Sequence, residues 1–385
     1  MNTTFKLDAS VEEGVKKLLL FLLEKKKIGG AVVLQKMDGH GAVSYSLITD
    51  AGALADASPL LPLMPVNAAS VLSRLTLKEP FSGPIAAVIR PCELRAFIEL
   101  IKRGQGNREQ FILISSVCGG VYPLQAALTN GGIEEKLPDY WKALGEAEIV
   151  PDLRPTCRAC EQFIPMGADM TVATMGREDL GETCTIFLQT DRAVELIRDA
   201  AGEMSAGELS EGKAGKKRAP EERLESDLIR RHRGARKDQK KKLSREMKLD
   251  AYGLDGMIEM FGKCIGCHGC RAVCPICYCE LCVFESQDFE PKPVDFERAL
   301  NRKEALRIPP DTVLYHLGRL NHMAISCVGC GSCSDVCPVD IPVSSIFLQV
   351  GESVQELFDY LPGRDPEEEV PITKYENEEL AEFED

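Results

Sequence analysis

The chain has 385 residues, 44% of them hydrophobic, with a net charge of −14 and sixteen cysteines. That length leaves room for two or three domains with buried cores, and the acidic balance argues against general nucleic-acid binding. Sixteen cysteines without a signal-peptide pattern point to metal ligation in a reducing cytoplasm rather than to disulfides. The one intense apolar run, Leu18 to Leu23, is far too short to span a bilayer.

In chain order, Val11 to Lys27 reads as a helix with Val11, Val15, Leu18, Leu19 and Leu22 on one face. Gly29-Gly30 ends it. Ala31 to Gln35 follows as a buried strand, with Ser44 to Ile48 pairing to it across a turn at Asp38-Gly39. Pro59 to Pro65 is a loop. Ile85 to Ile89 is a continuous apolar run that suits a strand covered on both faces. Pro91-Cys92-Glu93 opens a helix to about Arg103, and Phe111 to Ser115 is another buried strand, leading into Val117-Cys118-Gly119-Gly120. Strand, helix and strand in this order predict a parallel unit whose cysteines sit at the strand C-termini, where α/β sheets bind ligands.

Cys157-x2-Cys160 and the stretch Gly167 to Gly176 come next, then a strand at Thr183 to Gln189 and a helix at Ala193 to Ala200. From Ser205 to Lys248 the composition turns to Lys and Arg. This segment reads as a linker, unstructured at first and then a basic helix from Glu221 to Met247. A solvated helix is the simpler account of such a charge run; a surface for an acidic partner or for cofactor phosphates is the sharper one.

Lys263 to Cys282 holds seven of the sixteen cysteines in twenty residues. Cys264, Cys267, Cys270 and Cys274 stand at C-x2-C-x2-C-x3-C before Pro275, and Cys327, Cys330, Cys333 and Cys337 repeat the spacing before Pro338. This is the run of bacterial two-cluster ferredoxins, in which the fourth cysteine of each run ligates the other run's [4Fe-4S] cluster. Cluster one is therefore assigned Cys264, Cys267, Cys270 and Cys337, and cluster two Cys327, Cys330, Cys333 and Cys274. Gly266, Gly269, Gly329 and Gly331 let backbone amides approach the sulfides. Zinc, which also takes C-x2-C pairs, and disulfides are the weaker readings. Two probable helices, Pro293 to Ala305 and Asp311 to Leu320, separate the runs. That spacing suits the helical ferredoxin of succinate dehydrogenase and heterodisulfide reductase subunits better than the compact hairpin type. His268 lies in the first run and His316 and His322 flank the helix expected on cluster two, all read as packing residues. A helix from Val343 to Leu361 closes this part, and the acidic tail from Asp365 is expected to be disordered or partner-bound.

The motifs resemble those of the beta subunit family of coenzyme F-420-reducing hydrogenases and formate dehydrogenases. Arg90-Pro91-Cys92-Glu93, Ser116-Val-Cys118, Cys157-x2-Cys160 and Ala168-Asp169-x6-Gly176 carry the likeness upstream. Cys274-Pro-Ile-Cys-Tyr-Cys-Glu-Leu-Cys282 and Cys337-Pro-Val-Asp-Ile-Pro-Val look like the formate dehydrogenase branch.

The resemblance implies an iron-sulfur flavoprotein, with FAD beside a third [4Fe-4S] cluster. Cys92, Cys118, Cys157 and Cys160 supply the four thiolates; that Cys92 and Cys118 are buried small hydrophobes is the weaker reading, given Cys157-x2-Cys160. Pro91, Glu93, Asp169 and Gly176 are the flavin neighbours by resemblance, and no G-x-G-x-x-G fingerprint is present. Cys277, Cys279 and Cys282 could hold a fourth cluster with help from Cys184 or a neighbouring subunit, could hold zinc, or could be unligated.

The expected architecture is an α/β flavin and [4Fe-4S] domain (1–204), a basic helical linker (205–250), an α-helical two-[4Fe-4S] ferredoxin domain (251–362) and an acidic tail (363–385). The expected role is that of an oxidoreductase subunit with no catalytic residue of its own. Its partners would be a molybdenum or tungsten formate dehydrogenase or hydrogenase subunit and heterodisulfide-reductase-like chains. A flavin-free polyferredoxin and a zinc-stapled scaffold are the alternatives.

Overall fold

The structure, a computed structural model, describes residues 3–373 apart from 38–41, 78–80, 82, 129–131, 204–206, 212–223, 225, 248, 287–291, 306–308 and 310. An eight-stranded mixed sheet forms the first half. Its elements in chain order are β1 (Thr3–Asp8), α1 (Val11–Glu24), β2 (Gly30–Lys36), β3 (Val43–Ile48), α2 (Ala68–Thr76), β4 (Ile85–Val88), α3 (Pro91–Lys102), β5 (Phe111–Ser116), α4 (Leu137–Gly145), α5 (Pro155–Arg158), β6 (Met170–Val172), β7 (Thr183–Leu188), α6 (Asp191–Glu203) and β8 (Gly207–Glu211). The strand order is β3-β2-β4-β5-β6-β7-β1-β8. The middle of the sheet, β2-β4-β5-β6, is parallel, and the outer pairs are antiparallel. The expected β4-α3-β5 parallel unit is therefore present, and Ala31 pairs with Ile48 in the expected β2-β3 hairpin. The Asp38-Gly39 turn lies outside the described residues.

The helical half comprises α7 (Asp227–Met247), α8 (Leu249–Phe261), α9 (Gly269–Ala272), α10 (Pro293–Lys303), α11 (Thr312–Met323), α12 (Ser332–Asp335) and α13 (Val343–Leu357). Among the described residues, no helix is long and apolar enough to cross a membrane.

Each sheet face has its own core. On one face the stripe Val11, Val15, Leu18, Leu19 and Leu22 of α1 packs against Val33, Ala86, Ile112 and Ile186, with Ser10 capping the helix through the Glu13 amide. On the other, Val32, Ala87, Phe111 and Leu113 meet α2 and α3, and the same core runs on into Phe261, Ile276, Leu320, Ile346 and Phe347. The sheet and the ferredoxin-like half thus share one buried apolar continuum rather than a hinge.

The join is also polar. Glu99 of α3 is fully buried. It accepts hydrogen bonds from the Tyr360 hydroxyl (2.5 Å) and the Gly363 amide (2.8 Å) and pairs with Arg103 (3.0 Å), which also reaches the Ser326 hydroxyl. These bonds hold its carboxyl below the ordinary carboxylate range despite burial. Arg95 donates to the Pro362 carbonyl at 2.7 Å.

Three expectations change here. β8 extends the sheet past residue 204, so the linker begins later than expected. Val370 is buried against Ile325 and Tyr360, so the first part of the acidic tail is packed structure; residues 374–385 lie outside the described residues. The basic helix is not solvated all round: Ile229, His232 and Arg236 of α7 are buried.

Candidate metal centres

The first run and Cys337 lie on neighbouring loops. Cys270 is buried in α9 with Cys264 and Cys267 nearby, and Gly269 packs on the Val336 backbone, which delivers Cys337 to the same loop. Backbone amides point at sulfur here, Gly266 to Cys264 at 3.4 Å and Ile341 to Cys337 at 3.3 Å. The second set is more enclosed. Cys274, Cys327, Cys330 and Cys333 all line one apolar cavity, together with Arg319, Met323 and Phe347. Burial pushes the Cys327 thiol up to about 12 and raises Cys330 and Cys333 as well. Buried thiols of this kind ionise only beside a compensating positive centre, which is what an iron-sulfur core supplies.

The N-terminal set is built differently, from two strand ends and a short helix. Cys92 follows β4 as the second residue of α3, Cys118 follows β5, and Cys157 and Cys160 lie in and after α5. The Cys118 amide donates to the Phe163 carbonyl at 2.8 Å. Burial first, and the Glu93 carboxylate next, raise Cys92, with smaller contributions from Cys330, Cys118 and Cys157. Burial carries Cys157 to about 11 against the pull of Arg154, with Cys118 and Cys160 beside it. The four thiols thus influence one another electrostatically, and Cys330 of the second ferredoxin set is among the neighbours of Cys92.

Two arginines fasten this junction. Arg154, just before Cys157, forms a buried ion pair with Asp335 at 2.6 Å and donates to the Cys330 carbonyl at 3.3 Å. Arg236 of α7 donates to the carbonyls of Cys118 (2.9 Å), Gly119 (2.9 Å) and Cys160 (3.1 Å) while its guanidinium lies over Phe163. Gly331 sits at φ +85°, and a Cβ there would come within 2.6 Å of the Thr156 hydroxyl. Only glycine lets the two loops approach this closely. Sequence reading missed both arginines, although Ile229, His232, Arg236 and Lys240 recur at helical spacing and Lys240 pairs with both Glu161 and Glu352.

The four flavin-neighbour positions do not share a site. Pro91 opens α3. Glu93 is fully buried and spent on protein donors, accepting from the Arg90 amide (2.8 Å), the Ala68 amide (2.9 Å) and the Tyr45 hydroxyl (2.8 Å). Asp169 precedes β6, on the opposite end of the parallel strands from Cys92 and Cys118. It accepts from the Leu113 amide and the Thr190 hydroxyl, both at 2.8 Å. Gly176 lies beneath Leu228. These residues are structural ties and do not fit a common flavin pocket. The cleft between the Cys160 and Cys327 loops, lined by Arg95, Lys240, Glu352 and Tyr360, contains none of them.

Cys184 is fully buried in β7 against Gly14 of α1, where burial raises its thiol to about 12. Sealed in the sheet core, it cannot join Cys277, Cys279 and Cys282. Of those three, Cys277 lies beside Cys274, and that contact first of all lowers its thiol to about 7. Cys279 is exposed. Among the described residues, no three His, Cys, Asp or Glu side chains converge closely enough for a single metal ion. His316 stacks on Phe261 with ring centroids 4.2 Å apart, beside the first run rather than the second.

Residues 260–341 match the family model described as a 4Fe-4S dicluster domain. Along 371 residues the chain is 29% identical to "F420-dependent formate dehydrogenase subunit beta" of Methanocaldococcus jannaschii, covering 90% of each chain. It is 27% identical over 377 residues to "F420-dependent formate dehydrogenase 1 subunit beta" of Methanococcus maripaludis, covering 91% of this chain and 90% of that one. The chain is a homologue of these beta subunits. A chain in the solved structure titled "Xenon derivatization of the F420-reducing [NiFe] hydrogenase complex from Methanosarcina barkeri" aligns at 15% identity and TM-score 0.44, over 66% of this chain and 94% of that chain. The formate dehydrogenase relatives are subunits of oxidoreductases, and their homology spans the sheet half as well as the dicluster half.

Proposed function

We propose that this chain is the iron-sulfur electron-transfer subunit of a formate dehydrogenase-type complex. The observation that carries the reading is the contiguity of three four-thiol sets, in the order first run, second run, N-terminal set. Arg319 donates to Cys270 of the first set and lines the cavity of the second, and Cys92 of the third neighbours Cys330 of the second. The donor chemistry fits [4Fe-4S] clusters held by Cys264, Cys267, Cys270 and Cys337, by Cys274, Cys327, Cys330 and Cys333, and by Cys92, Cys118, Cys157 and Cys160. When bound, such clusters supply one-electron transfer, and the protein fixes their order and surroundings.

Formate or hydrogen would be oxidised on a separate molybdenum, tungsten or nickel subunit. The first-run end suits docking to it, because Cys267 is exposed there beside exposed Ile265 and Leu281. The sheet end would serve a soluble carrier or a heterodisulfide-reductase-like partner. The F420-dependence in both relatives' names supports a deazaflavin as that carrier. FAD enters this reading from the family resemblance. The occupied state of Glu93 and Asp169 favours the second reading, a flavin-free polyferredoxin.

Anaerobic purification with iron, acid-labile sulfide and flavin quantified tests both. Three clusters require about twelve iron atoms per chain. About eight would remove the N-terminal centre, and zinc in place of iron would overturn the reading. Stoichiometric flavin selects the flavoprotein; its absence selects the polyferredoxin.

A further inference from the structure

One buried cation in the helical half faces sulfur rather than a carboxylate. Arg319 of α11 is 3% exposed. Its Nη1 donates to the Cys270 sulfur at 3.1 Å, and its Nη2 donates to the Cys270 carbonyl at 3.1 Å and approaches the Cys277 sulfur at 3.8 Å. The guanidinium packs over the rings of Phe347 and Tyr315. The same side chain lines the cavity formed by Cys274, Cys327, Cys330 and Cys333. Among the described residues it has no ion pair with Asp or Glu, and its Nε, buried, has no hydrogen-bond partner.

Burying a guanidinium is costly unless anions compensate it. Here the guanidinium meets the Cys270 thiol of the first set and the Cys277 thiol, and it lines the cavity of the second set, so the charge is placed beside the ionised, metal-bound state of both. Arg154 and Arg236 spend their donors on carbonyls and Asp335. Arg319 alone among these directs a donor at a ligand sulfur. A hydrogen bond to a cluster sulfur, and a fixed positive charge beside it, stabilise the reduced form, which carries one more negative charge than the oxidised form.

We infer that Arg319 is a positioning residue that raises the reduction potentials of both ferredoxin-type centres, the first-run centre most. The inference rests on the proposed cluster assignment above. A guanidinium suits the position better than an ammonium, because its rigid fork reaches the Cys270 sulfur and carbonyl together while its face stays on Phe347.

Redox titration of the anaerobically purified full chain, followed by electron paramagnetic resonance, tests this. The first-run signal is assigned by its change in Cys267→Ser. In Arg319→Met the reduction equilibrium of that centre should fall tenfold or more, which is 59 mV for a one-electron couple. The second-run centre should move less in the same direction, and the N-terminal centre should stay where it is. Arg319→Gln, which removes the charge but keeps an amide donor, should give a smaller fall of the same sign. It decides the question if Arg319→Met does not retain iron. Unmoved potentials in an iron-replete variant, or equal shifts of all three centres, overturn the inference. A wild-type chain lacking two ferredoxin-type signals would overturn the functional reading with it, so the two failures are distinguishable.

Discussion

The N-terminal thiol set and the two ferredoxin runs present the same donor chemistry on opposite kinds of scaffold. Cys92, Cys118, Cys157 and Cys160 are gathered from three segments that only the finished sheet brings together, with Arg236 and Phe163 closing the loops. In the runs, three of four ligands come from one short loop, and the only regular structure within each run is the single helical turn of α9 or α12. The sheet can hold its cysteines in place before metal arrives. The runs have little secondary structure of their own, so their order is expected to depend on the metal.

Chelating the metal should expose this difference most strongly. Hydrogen exchange across 264–282 and 327–340 should rise to near-unprotected rates, while β4, β5 and the rest of the sheet keep their protection. Loss of the sheet in the same step would erase the distinction.

Arg236→Met removes three charged hydrogen bonds from a buried guanidinium and leaves the carbonyls of Cys118, Gly119 and Cys160 without that donor. A loss of about 3 kcal/mol or more is expected by denaturant unfolding. The iron deficit should be confined to the N-terminal set, and an equal deficit in the ferredoxin runs would contradict the local reading.

His232 sharpens the same boundary through pH. Its Nδ1–H donates to the Ala147 carbonyl at 2.7 Å, and burial, with Arg236 nearby, lowers it to about 4 from an ordinary 6.5. The folded state therefore keeps it neutral while the unfolded chain takes up a proton. Its contribution is full above about pH 6.5 and is lost as pH falls toward 4, by up to about 3 kcal/mol. Comparing Tm at pH 7 and pH 5 for wild type and His232→Phe isolates this term, since the variant should lose less on acidification. An identical pH response in both would remove His232 from the account.

Cys184→Ser should have the smallest effect. A hydroxyl placed against Gly14 in the sheet core is expected to cost about 1–2 kcal/mol, while iron content stays at the wild-type value. A fall in iron would return Cys184 to the ligand set.

The spacing of the runs made both ferredoxin sets legible in the sequence, because their ligands are local and the chemistry permits few substitutes. The central strands were legible too, since Ile85 to Ile89 and Phe111 to Ser115 are apolar throughout. The edge was harder to read. β8, Gly-Glu-Leu-Ser-Glu, is polar and short and becomes a strand only by pairing with β1. α7 looked like a solvated charge run because its buried face is made of His232 and Arg236, whose burial depends on carbonyls far away in sequence. Asp169 and Glu93 were hard to read for a related reason. A buried carboxylate that ties backbone amides looks, in sequence, the same as one that meets a ligand.

The Glu99 node has a kinetic consequence. With Tyr360, Gly363, Arg103 and Ser326 gathered on one carboxylate across the join, the sheet half cannot swing away from the ferredoxin-like half as a tethered carrier domain would. Exchange of charge between the second-run and N-terminal sets would then occur at fixed separation. Its rate would be governed by driving force and by the intervening atoms rather than by a diffusive search, and would be insensitive to solvent viscosity.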